Sequence, residues 1–102
     1  MGVETTIGSA LKGMTISSAA ILITNAGFSW GANDLARAQR AYLTAYTNPI
    51  NVAWTGAAPT ATLGVALATG ATLEVVGNQN INQLQFIRQG ASDGVVSVLL
   101  EW

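Results

Sequence analysis

The segment from Arg40 to Tyr46 alternates between two kinds of side chain at every residue. Ala41, Leu43 and Ala45 are expected to point to one side of the chain, and the remaining residues of the segment to the other. This period of two fits a β-strand with one buried face and cannot be satisfied by an α-helix. Short runs rich in Thr, Val, Ile and Leu recur elsewhere, with Gly, Asn, Asp or Pro between them at intervals of about 8 to 12 residues.

This pattern predicts an all-β fold, an antiparallel β-sandwich or barrel of jelly-roll-like type with about seven or eight short strands. The expected strands lie at 14–16, 20–24, 40–46, 50–54, 63–67, 72–76, 83–88 and 95–102, with 4–7 as a further candidate. Residues 1–102 are expected to form a single domain, since a chain of this length supports one core. Within it, residues 1–32 are expected to supply the first strands and an arm that becomes ordered on assembly.

Two segments are expected to depart from the strand pattern. One short helical turn is predicted near residues 33–39, where Asn33 or Asp34 can cap a run of good helix formers. A helix this short needs packing partners, so we expect it to close an open end of the sheets. Residues 57–62 contain Pro59 and three alanines, which predicts an extended connection lying over the domain.

The composition excludes several classes of function. Charged residues make up 9% of the chain, and the net charge is −1. The sequence has no cysteine and no histidine, which removes disulfides, thiol nucleophiles, the usual neutral-pH base and the commonest nitrogen ligand for metals. Four basic residues are too few for a protein that follows a phosphate backbone. We therefore expect no cofactor, no bound metal, no nucleic-acid partner and no membrane partner.

Two carboxylates are the best candidates for catalysis. Glu74 and Glu101 lie on segments that can become neighbouring strands, as paired acids in a glycosidase must. Each occupies a polar slot of an alternating strand, where a solvated outer face is the simpler interpretation. Because neither has a His or Cys partner, we do not expect an enzyme.

Aromatic and basic residues are the candidates for an interface. Trp54 and Phe86 fall at inward-facing strand positions and are interpreted as core. Trp30 lies in a predicted loop and Trp102 is the last residue, and aromatic side chains at such exposed places are typical interface anchors. The other candidates are aromatic or basic side chains near the predicted strands: Tyr42, Tyr46, Arg37, Arg40 and Arg88. Exposed tryptophans also leave open a carbohydrate-binding module.

The order of segments from Arg40 onward resembles a family of small virion proteins of tailed bacteriophages. The matching pieces are RAYLT at 40–44, NPINVAW at 48–54, TGAAPTATLG at 55–64, ATGATLEV at 68–75, INQLQFIR at 81–88, and the closing Glu101-Trp102. They cover about the last two-thirds of the chain, and their order is more specific than any single piece. The resemblance implies a compact β-sandwich or barrel bound to a phage particle.

The function that the resemblance implies is a capsid decoration or cement protein that stabilises the head. Its partners would be the major capsid protein and copies of itself, with a trimer favoured, and its location the capsid surface of the virion. A weakly charged surface suits such a role, because many modest contacts add up in a symmetric particle. A tail or head–tail junction protein is the first alternative, and the carbohydrate-binding module is the second.

Overall fold

Two four-stranded antiparallel sheets pack as a sandwich in the computed structural model, which describes residues 8–102. Sheet A has the strand order β1-β8-β3-β6 and sheet B the order β2-β7-β4-β5. The strands are β1 (Ser9–Ile16), β2 (Ile21–Leu22), β3 (Arg40–Tyr46), β4 (Ile50–Ala53), β5 (Val65–Leu67), β6 (Thr72–Val76), β7 (Gln85–Arg88) and β8 (Gly94–Glu101). The predicted all-β fold is confirmed, and its form is a sandwich.

The strands pair in a nested order that explains both sheets. β4 pairs with β5, β3 with β6, β2 with β7 and β1 with β8, all antiparallel. The chain therefore behaves as one long hairpin that is rolled up, so that successive pairs fall alternately in sheet B and sheet A. This is the arrangement of a jelly roll. Rolling also brings β8 beside β3 and β7 beside β4, which completes the two sheets.

The core lies between the sheets and follows the alternation in the sequence. Ala41, Leu43 and Ala45 of β3 are fully buried, as predicted. In β8 the buried positions also alternate with half-buried ones along the whole strand. Phe86 of sheet B is fully buried, and its ring centroid lies 5.8 Å from that of Phe28.

One end of the sandwich is closed by two helices of a single turn. The predicted turn near 33–39 is confirmed as α1 (Asp34–Arg37), while α2 (Asn78–Asn82) follows β6 and was not predicted. The Asn78 side-chain amide donates hydrogen bonds to the carbonyls of Leu35, Ala36 and Ala38 at 2.9, 3.2 and 2.8 Å. These carbonyls have no partner within a helix that short, so α2 is needed to hold α1 in place.

The connection between β4 and β5 lies over sheet B, as expected from its composition. The buried Asn51 side chain donates a hydrogen bond to the Thr60 carbonyl at 2.8 Å and accepts one from the Gln89 side chain at 2.8 Å. Gly64 lets the segment approach closely: its φ is 144°, and a Cβ there would lie 3.2 Å from side-chain atoms of Asn51 and Pro59. The connection thus covers the polar side chain of a central strand.

The first strands differ most from expectation. The candidate strand at 4–7 lies outside the described residues. The strand predicted at 14–16 is the end of the eight-residue β1, and the strand predicted at 20–24 shortens to the two residues of β2. Leu11, Lys12 and Gly13 are all exposed, because β1 is an edge strand and shows no clean burial alternation at these positions.

Replacing Phe86 by alanine is expected to lower the free energy of unfolding by about 3 to 5 kcal/mol, because it opens a cavity between the sheets. Urea unfolding followed by far-UV circular dichroism measures the loss. Leu63→Ala, at a residue that is 68% exposed, is the control and should change stability by less than about 0.5 kcal/mol. Equal losses for the two variants would contradict the assigned core.

Candidate interface on the outer face of sheet A

Sheet A turns one side to the core and the other side outward. The side chains on the outward side, called here the outer face, are all exposed or half-buried. They are Ser9, Leu11, Gly13 and Thr15 of β1; Val95, Ser97, Leu99 and Glu101 of β8; Arg40, Tyr42, Thr44 and Tyr46 of β3; and Thr72, Glu74 and Val76 of β6.

The strand register arranges the outer face in rows across the sheet. One row places Leu99 directly between Leu11 and Tyr42, and another places Val95 beside Tyr46. Leu11 is 64% exposed and Tyr46 51% exposed. The first row ends at Glu74 and the second begins at Thr15. Between these polar ends the two rows present apolar and aromatic side chains to the outside, which is typical of a protein interface.

Between the apolar rows lies a row of small polar side chains. Ser97 lies beside Thr44, and the Thr44 and Thr72 hydroxyls are 3.0 Å apart. This row carries no charge. A flat, uncharged centre costs little to desolvate when another surface covers it.

The charges of the outer face are concentrated at one end. The Arg40 Nε lies 2.8 Å from a Glu74 carboxylate oxygen, and both side chains are about half exposed. Glu101 lies directly opposite Arg40 in the strand register, yet it has no ion-pair partner among the described residues. Arg40, Val76, Glu101 and Trp102 border a shallow depression of about 280 Å³ at this end.

The structure brings together three of the seven interface candidates predicted from sequence. Arg40, Tyr42 and Tyr46 lie on the outer face. Their neighbours Leu11, Leu99 and Val95 were not predicted from sequence. The alternation of β8 contains the signal for Leu99 and Val95, but pairing them with the tyrosines requires the strand register.

Trp30 belongs to the fold and is not an exposed anchor. Its indole Nε1 donates a hydrogen bond to the Ile23 carbonyl at 3.1 Å, and its ring is stacked on Phe28 with centroids 5.8 Å apart. The ring is half-buried against the core. The expectation of an exposed loop position is wrong, because the 3-10 turn before Trp30 folds the loop back onto the sandwich.

Trp102 is also half-buried, at the end of the sandwich closed by the helices. The Arg37 guanidinium lies 4.4 Å from the centroid of the Trp102 ring, a cation–π contact. The space that a Cβ at Gly8 would need is occupied by the same indole. Arg37 also lies 3.4 Å from the carboxylate of Asp34. Arg37 of α1 and Trp102, which follows β8, were both predicted as interface residues and instead contact each other within the chain.

Arg88 pairs within the chain at the turn between β7 and β8. Its Nη1 lies 2.6 Å from a carboxylate oxygen of Asp93. Because the pair is partly exposed, it contributes little to the free energy of unfolding, and its main effect is to fix the conformation of the turn. Arg88 does not lie on the outer face of sheet A.

An uncharged groove of about 470 Å³, which was not predicted from sequence, lies at the edge of sheet B. The half-buried Trp54 lines it together with Pro59, Leu63 and Val65. Phe86 is confirmed as a core residue, whereas Trp54 packs against the core with one side and borders this groove with the other. The groove has no charged lining residue to orient a ligand.

The two carboxylates considered for catalysis do not lie on neighbouring strands. Glu74 and Glu101 both lie on the outer face, but β3 separates their strands, and Glu74 is bound by Arg40. Residues 8–102 contain no group of three acidic, His or Cys side chains that could hold a metal ion. No helix in this part of the chain is long and apolar enough to cross a membrane.

Comparison with known proteins gives one similar structure. No protein-family model matches the sequence, and no curated protein matches it. Among solved structures, the chain is similar to one described as "Bacillus endospore appendages form a novel family of disulfide-linked pili". The TM-score is 0.51 and the identity 17%, over 94% of this chain and 85% of that chain. At this identity the likeness concerns the fold.

This finding corrects the function expected from the phage resemblance. The structure that shares the fold is a bacterial appendage and not a phage particle, so the assignment as a capsid decoration protein is wrong. The tail or head–tail junction role and the carbohydrate-binding module gain no support either. The major capsid protein as partner, the trimer and the virion location stay untested predictions.

Trp30→Ala is expected to lower the free energy of unfolding by about 1 to 3 kcal/mol, since it removes a stacked ring and a hydrogen bond. Trp30→Phe keeps the stacking and should lose only about 1 kcal/mol. Thermal and urea unfolding measure both changes. Tyr46→Ala, on the outer face, is the control and should leave stability nearly unchanged. If Trp30→Ala were as stable as wild type, the structural role assigned to Trp30 would be wrong.

Proposed function

We propose that this chain is a structural subunit that assembles with copies of itself by adding strands to the two edges of sheet A. The observation that carries this proposal is that both edges, β1 and β6, are unpaired on their outer sides within residues 8–102. An unpaired edge presents a row of backbone N–H and C=O groups that can pair with another chain.

The outward-facing backbone groups follow from the hydrogen-bond pattern. Gly8 and Trp102 exchange both backbone hydrogen bonds, so alternate residues of β1 bond to β8 and the residues between them point away. These are Ser9, Leu11, Gly13 and Thr15. On β6, the Gly77 N–H donates to the Gln39 carbonyl, so the backbone groups of Thr72, Glu74 and Val76 face outward. The Val76 carbonyl accepts a hydrogen bond from the Asn80 side chain at 3.1 Å, which leaves Thr72 and Glu74 as the open part of this edge.

The directions of the two edges suit repeated addition. Sheet A has four strands, each antiparallel to the next, so β1 and β6 run in opposite directions. A second copy in the same orientation places its β1 antiparallel to β6 of the first. Each head-to-tail contact leaves a free β1 edge at one end of the assembly and a free β6 edge at the other. Further copies can therefore be added, which leads to rings or filaments.

The edges carry little charge to prevent this contact. Glu74 on β6 is paired with Arg40, and Lys12 is the single charged residue of β1. Neither strand contains proline, which commonly protects sheet edges. Low charge over the whole chain favours association in the same way.

The fold comparison supports the proposal from a second direction. The similar structure comes from appendages described as disulfide-linked pili. This chain has no cysteine, so an assembly of its copies would be held by non-covalent contacts. Strand addition supplies such contacts without any special side chain.

Thr15→Pro is expected to abolish growth of the assembly. The substitution removes an N–H that points away from β8, so it blocks strand addition and leaves the β1–β8 ladder intact. Sedimentation velocity over a range of concentrations, with negative-stain electron microscopy, measures assembly. Thr15→Val, which keeps the N–H and suits a strand, is the matched control and should assemble like wild type. Wild-type protein that stays monomeric or dimeric at millimolar concentration would overturn the proposal.

Lys12→Thr is expected to strengthen assembly. Lys12 is opposite the buried Val98, on the core-facing side of an edge strand, where an added strand would cover its stem. Removing this charge lowers the cost of desolvation at the contact. The concentration at which large species appear in sedimentation should therefore fall. A rise in that concentration would contradict the assignment of β1 as a joining edge.

A further inference from the structure

We infer that two copies of this chain also pair face to face through the outer faces of sheet A, related by a two-fold axis parallel to the strands between β3 and β8. This contact goes beyond the proposed edge contact and uses a different surface. It leaves β1 and β6 open at the sides of the pair.

Charge complementarity selects this geometry. A two-fold axis along the strands exchanges the positions of β8 and β3, so Glu101 of one copy lies opposite Arg40 of the other, and the reverse. The Arg40 Nε binds Glu74, while its two terminal nitrogens have no partner among the described residues. Each guanidinium can therefore bridge Glu74 of its own chain and Glu101 of its partner.

The same operation matches the uncharged rows. Leu99 lies opposite Tyr42 of the second copy, and Val95 opposite Tyr46, because each pair shares a row in the register. Ser97 and Thr44 face each other in the row of small residues. At the rim, Leu11 approaches Glu74, whose charge is already met by Arg40.

The other two-fold arrangement of two stacked faces is unfavourable. An axis across the strands reverses the order of the rows and lays β8 over β8 of the partner. It would bury Glu101 against the apolar Val95 and leave that carboxylate without a cation. Burying an unpaired charge costs several kcal/mol, so the axis along the strands is favoured.

The area of the face is sufficient for a specific pair. The strands of sheet A have eight, eight, seven and five residues. At about 4.8 Å between strands and roughly 3.4 Å per residue they give a flat area of about 460 Å². Two such faces bury about 900 Å² before the relief of the side chains is counted, which lies close to the lower limit for specific interfaces. Sheets stacked in this way lie about 10 Å apart, the spacing found inside a sandwich.

The test uses the full chain with Thr15→Pro, which blocks the β1 edge and so the β1–β6 contact. Thr15 lies at a corner of the outer face, in a row that extends past the end of β6, so in the proposed pair no β6 residue of the partner lies opposite it. We expect this protein to sediment as a dimer. Added singly, Arg40→Glu or Glu101→Arg places like charges opposite each other twice per dimer and should weaken pairing at least about tenfold. A 1:1 mixture of the two variants restores both ion pairs and should recover the dimer. Lys12→Glu is the control: its charge change equals that of Arg40→Glu on the other side of the sheet, and it should leave the dimer intact.

A second variant, Ser97→Lys, is used if reversing the charge at Arg40 or Glu101 disturbs the fold. Ser97→Lys keeps both ionic residues and places two like charges near the axis, so it should also produce monomers, with the far-UV circular dichroism spectrum of the folded protein retained. A mixture of Arg40→Glu and Glu101→Arg that stays monomeric would overturn the face contact. A monomeric Thr15→Pro protein would also overturn the face contact. If Thr15→Val still forms large assemblies in that case, the edge proposal survives. Dimers that form in both Thr15 variants and never grow further would support the face contact and overturn the edge proposal.

Discussion

The pairing of β8 with two strands is the contact on which the rest of the structure depends. β8 lies between β1 and β3, which are far apart in sequence, and joins them into sheet A. Its buried residues line the core on the side of sheet A, and its other residues form the middle of the outer face. Without β8, β1 would have no partner in sheet A and β3 would become an edge strand beside β6.

Much of the fold could be predicted from sequence, because period-two alternation is strong where one face is buried. Ala41, Leu43 and Ala45 illustrate this, and the turn signals placed half of the strand ends at the residue observed. The prediction was weakest at the edges: Leu11, Lys12 and Gly13 are exposed, so they show no alternation although they lie in a strand. α2 was missed because its role is to bind the carbonyls of α1 through Asn78, a contact between distant segments.

The candidate site was only half predictable for the same reason. Tyr42 and Tyr46 follow from the alternation of β3, but their neighbours across the sheet are fixed by register and not by local sequence. Trp30 appeared exposed because it lies among small residues, whereas its indole is bound to the Ile23 carbonyl. The low charge predicts association as a general tendency, and this stays a prediction. The capsid decoration role drawn from the phage resemblance was contradicted by the fold comparison.

The position of β8 in the chain also affects the order of events during synthesis. Of the eight strands of the sandwich it is the last to leave the ribosome, yet it occupies the interior of sheet A. Until it is made, neither the row pattern of the outer face nor the final edges of that sheet exist. A nascent chain therefore cannot offer the surfaces through which finished copies are proposed to join, so the strand order itself delays self-association until the β-sandwich is complete.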